Sequence, residues 1–83
     1  MNTRIVERSQ TGVRLEKSLL KVLKALAEYC DLSLGDLLEG IVLHSFEGQA
    51  PFSDDTLAAI RELKKVYHCE LTAADSHRLR ESQ

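Results

Sequence analysis

Ser9-Gln10-Thr11-Gly12-Val13-Arg14-Leu15 is the stretch on which the fold turns. Val13 and Leu15 fall on one face and Gln10, Gly12 and Arg14 on the other, the period of two that marks a half-buried strand. No other segment alternates in this way. A lone strand leaves a row of backbone donors and acceptors unpaired. The alternation therefore predicts a strand that pairs with the same strand of a second molecule, with Val13 and Leu15 in the dimer interface.

The residues that follow switch to helical spacing. From Lys17 to Cys30, Leu19, Val22, Leu23, Leu26 and Cys30 recur every three or four positions, while Lys17, Lys21, Lys24 and Glu28 lie mostly outside that stripe. Asp31-Leu32-Ser33 interrupts the pattern. Ser33 is placed to cap a second helix, with Asp36 at a box-like spacing. That helix, Leu34 to about Phe46, carries Leu34, Leu37, Leu38, Ile41, Val42 and Phe46 with Leu43 beside them, more apolar surface than one neighbouring helix covers. Gly40 sits mid-helix, where it costs about 1 kcal/mol relative to alanine. Its presence predicts close approach of another backbone, so Leu37, Gly40 and Ile41 join the expected dimer interface. Gly48 suits the left-handed position after a helix end.

The run from Thr11 to Gly48 resembles ribbon-helix-helix proteins of the Arc-like repressor class. The resemblance rests on the combination of one strand, a helix, a polar turn with Ser33 and an apolar second helix. It implies a mostly α fold in which the N-terminal strand pairs with its copy in an intertwined homodimer. The paired strands would enter the DNA major groove as a ribbon. Outward strand positions Gln10, Gly12 and Arg14 would then meet base edges, Gln10 suiting adenine and Arg14 guanine. Gly12 departs from this pattern because it offers no side chain. The backbone amides near Ser33, Leu34 and Gly35 resemble the family's phosphate clamp at a helix N-terminus, with Asp31 and Asp36 opposing it. Arg8, Lys17 and Lys21 complete the expected phosphate contacts.

Charge divides the chain. The 83 residues carry a formal net charge of −2, whereas DNA-binding domains are commonly basic. Yet residues 1–24 hold six cations, Arg4, Arg8, Arg14, Lys17, Lys21 and Lys24, against Glu7 and Glu16, a balance of +4 that leaves −6 for the remainder. Doubling the basic third in a dimer would give the charged face that phosphate binding requires.

Four segments follow: an N-terminal arm at 1–8, the core at 9–48, a helical extension at 49–71 and a disordered tail at 72–83. In the extension, Pro51 limits continuation of the second helix, and Ser53 caps a third helix over 54–68. Its stripe is Leu57, Ile60, Leu63, Val66 and Tyr67. This helix either packs on the core or presents a face to a protein partner. Thr72 and Asp75 have capping-box spacing, which predicts a turn or two before the tail.

Little in the sequence points to chemistry. His44, His68 and His77 are scattered and the His68-Cys69 pair has no zinc spacing, so no metal or cofactor is expected. No phosphate loop or nucleophile motif occurs, so neither is catalysis. Two cysteines, no secretory apolar region and no long apolar run predict a cytoplasmic protein without a membrane span. The functional expectation is a sequence-dependent DNA-binding homodimer, a small transcriptional regulator. The alternative is an interaction or dimerisation module, such as an antitoxin whose C-terminal segment binds a partner.

Overall fold

The computed structural model describes residues 3–82. Residues 1, 2 and 83, at the ends of the expected arm and tail, lie outside them. Among the described residues three α-helices follow one another: α1 Lys17–Tyr29, α2 Leu34–Phe46 and α3 Asp54–Val66, with a 3-10 turn at Ala73–Asp75. Helix α1 is the central element and packs against both α2 and α3.

Each helix begins where a side chain satisfies its free amides. Ser33 Oγ accepts from the Asp36 amide at 3.1 Å and opens α2. Ser53 Oγ accepts from the Thr56 amide and opens α3. At α1 the cap is Glu16, whose carboxylate accepts from the Leu19 amide at 2.9 Å and the Ser18 amide at 3.1 Å. The Ser18 hydroxyl, donating to the same carboxylate, is the main reason its pKa lies below the ordinary range. All three helices end alike. Residues Asp31, Gly48 and His68 adopt left-handed backbone conformations with φ of 58°, 70° and 55°. The next amide in each case, Leu32, Gln49 and Cys69, donates to the carbonyl of Ala27, His44 and Lys64 respectively, closing a Schellman motif. Gly48 does this without steric cost, whereas Asp31 and His68 hold a conformation that L side chains disfavour.

The core gathers around Leu26, Ala27 and Leu37, with Leu23, Ile41, Phe52, Ile60 and Leu63 packed against them. Val22 and Cys69 are also buried.

The expected ribbon is not formed: the described residues contain three helices and no strand. Residues 9–15 run as exposed coil, and Val13 is 72% exposed. Alternation specifies which side chains would share a face of a strand, but a strand exists only when a second edge accepts its hydrogen bonds. The rest of this chain offers helices, whose backbone groups are already paired. The ribbon-helix-helix architecture is therefore replaced by a three-helix fold preceded by an extended arm. The arm is tied down by side chains instead. Arg8 forms a two-pronged pair with Glu39 on α2, at 3.0 and 2.9 Å, and Arg14 pairs in the same way with Glu81.

Candidate functional site

On α1 the apolar stripe turns inward through Val22, Leu26 and Ala27. At about 100° per residue, Lys17, Lys21 and Lys24 then fall within an arc of about 60° on the opposite side. All three are exposed, and none forms an ion pair among the described residues. They make a short cationic ridge along one helix face.

The arginines of the arm differ from these lysines. Arg8 is engaged by Glu39, and the hydrogen bonds from Arg8 hold the Glu39 carboxyl below the ordinary range. Arg14 is engaged by Glu81. Their bidentate geometry resembles the way a guanidinium meets a phosphate, so an anionic partner would compete with these two carboxylates. Gln10 and Gly12 lie exposed on the coil between them. The residues expected to read bases are thus on a tethered arm, not on a ribbon.

At the start of α2, Ser33 Oγ is committed to capping, Leu34 is half-buried, and Gly35 is exposed with Asp36 immediately after it. The Asp36 carboxylate lies in the same first turn as the free amides, an arrangement that favours the helix dipole over an incoming phosphate.

The expected dimer contacts divide. Val13 and Leu15 are exposed. Leu37, only 4% exposed, sits in the core with Leu26 and Ala27, and Ile41 packs against the same cluster. These two are therefore inward contacts of their own chain. A Cβ at Gly40 would meet nothing within 4 Å; the residue lines a crevice of about 230 Å³ beside Pro51 and Phe52. Among the described residues no backbone outside its own helix comes within that distance.

A different surface of α2 is left open. Leu38 is half-buried, Val42 is exposed, Leu43 is 65% exposed and Phe46 is 82% exposed. Leu38, Val42 and Phe46 follow one another four residues apart, offset by about 100° from the inward line of Leu34, Leu37 and Ile41. Sequence reasoning recognised the excess of apolar residues but merged two stripes into one broad face. Separating the residues by angle around the helix would have distinguished them. Helix α3 packs on the core through Ile60 and Leu63 and leaves Val66 exposed.

Among the described residues no group of three or more His, Cys, Asp or Glu side chains is arranged to hold a metal ion. Among the same residues no helix is long and apolar enough to cross a membrane. Comparison with protein-family models, curated proteins and solved structures finds no match for this chain.

Proposed function

We propose that this protein is a small DNA-binding regulator that works as a homodimer. The observation that carries the reading is the unpaired lysine ridge of α1, three cations on one exposed helix face. Such point charges neutralise phosphates without selecting a sequence. Sequence preference falls to Gln10 and Arg14 on the arm, where Arg14 exchanges the Glu81 carboxylate for an acceptor on the duplex. The outer stripe of α2 supplies the self-association surface. A helix apolar around most of its circumference is stable when covered on both sides, and α1 covers only one.

Titration of duplex DNA at several salt concentrations tests this. Binding is expected to weaken on a negative log-log slope. Lys21→Ala should weaken all sequences alike and reduce that slope by about 1. Absence of binding to any duplex at low salt removes the DNA reading. The second reading is then an interaction module acting through α2, favoured by the net charge of −2 and by the carboxylates already held on Arg8 and Arg14.

A further inference from the structure

The segment after α3 runs back beside the helices and borders an open crevice of about 490 Å³ between α1, α3 and residues 69–79. This is within the size range of small-molecule sites, about 300–1,000 Å³. Its walls include Val22 of α1, Ile60 of α3, and Leu71 and Leu79 of the returning segment. One cation lines it from α3: Lys64 is half-buried, and its Nζ donates to the Leu71 carbonyl at 2.7 Å. An ammonium has three donors, and Lys64 forms no ion pair among the described residues. Asp75 also lines the crevice, but its Oδ2 accepts from the Thr72 amide at 2.8 Å, within the capping box.

Lys64 thus holds spare donors at the wall of this space, and an anion placed there gains charge-assisted hydrogen bonds from them. Apolar walls around the same space favour a hydrocarbon body. We propose that this crevice binds a small apolar carboxylate, its chain lying against Val22, Ile60, Leu71 and Leu79 and its head accepting from the free donors of Lys64. The site is separate from the lysine ridge and the outer stripe of α2, and it stands whether or not the protein binds DNA.

The test uses the full chain with hexanoate, octanoate, decanoate and decanol, followed by calorimetry and by the methyl resonances of the protein. Affinity should rise about fourfold per added methylene while the chain still fits. Decanoate should bind about tenfold more tightly than decanol, because its charged head receives a charge-assisted hydrogen bond. Decanoate should shift the methyl resonances of Val22, Ile60, Leu71 and Leu79 and leave those of Val42 and Leu43 in place. Lys64→Met should abolish the preference for decanoate over decanol, and Lys64→Arg should keep it. No binding by wild type, equal affinity for decanoate and decanol, or shifts confined to α2 overturns the proposal. So does a folded Lys64→Met variant that retains the preference. If that variant does not fold, the wild-type comparison of the two ligands and the methyl map decide the matter.

Discussion

Helices α1 and α2 have the same length, 13 residues each, and adjacent places in the chain, but they meet solvent differently. Helix α1 turns Val22, Leu26 and Ala27 inward and three lysines outward, with Tyr29 exposed at its end. Helix α2 buries only Leu37 fully and leaves Val42, Leu43 and Phe46 exposed. The contrast separates two tasks that an apolar residue can perform. On α1 apolar side chains hold the chain's own core, and on α2 a second set lies outside it. Exposed apolar clusters on a small protein mark contact surfaces more often than isolated exposed residues do.

The largest expected effect breaks the inward half of this contrast. Leu26 is 2% exposed, so Leu26→Ala should destabilise the fold by about 2–5 kcal/mol, the range for emptying a packed leucine site. Phe46→Ala, measured by urea denaturation of the dilute monomer, should change stability by less than about 0.5 kcal/mol, as surface substitutions do. Equal losses at the two positions would mean that α2 has no separate outer face.

Self-association probes the outer half. Phe46→Glu should weaken it by about 2 kcal/mol for each copy, the scale of an interface hot spot, while circular dichroism stays unchanged. Sedimentation over a concentration series reads this directly. A wild-type chain that stays monomeric at high concentration sinks the idea.

A smaller effect is expected at Gly40. Because open space surrounds its Cβ position, Gly40→Ala should stabilise the monomer by about 0.5–1 kcal/mol through helix propensity. A loss of stability that appears only as the protein associates would locate a second backbone at this point.

Acidification should release the arm from α2, with the smallest effect. The hydrogen bonds from Arg8 depress the Glu39 pKa, so the pair favours the attached arm at neutral pH. Its contribution is lost as pH falls from the ordinary glutamate range, about 4.3, through the lowered folded value. The Arg8 Nε–H resonance should therefore lose its protection from exchange with water in that window, and Glu39→Gln should remove the transition. A pH-independent signal would mean that the arm is not held by this pair.

Much of the helical framework was legible in local pattern. The spacing of Leu19, Val22, Leu23 and Leu26, with Ser33 and Ser53 as caps and Gly48 as a terminator, is read within a few residues of each helix. Asp31 and His68 were legible as breaks in the helical pattern, but their left-handed backbone was not, because neither is the glycine that normally announces such a position. The lysine ridge of α1 could be seen in advance, since residues outside an apolar stripe face solvent. The arm's arginine pairs could not, because Arg8 meets Glu39 31 positions away and Arg14 meets Glu81 67 positions away.

The sequence by itself determined three amphipathic helices, their order and most of their ends, because helical hydrogen bonds and caps join near neighbours in the chain. Tertiary structure alone decided that Ser9 to Leu15 is an extended arm and not a strand, since a strand requires a distant edge to pair with. It decided also which stripe of α2 faces the core. And it decided that Lys64, from the third helix, meets the carbonyl of Leu71 at the wall of a crevice. Each of these depends on which surfaces reach one another in space, and periodicity along a chain carries no such information.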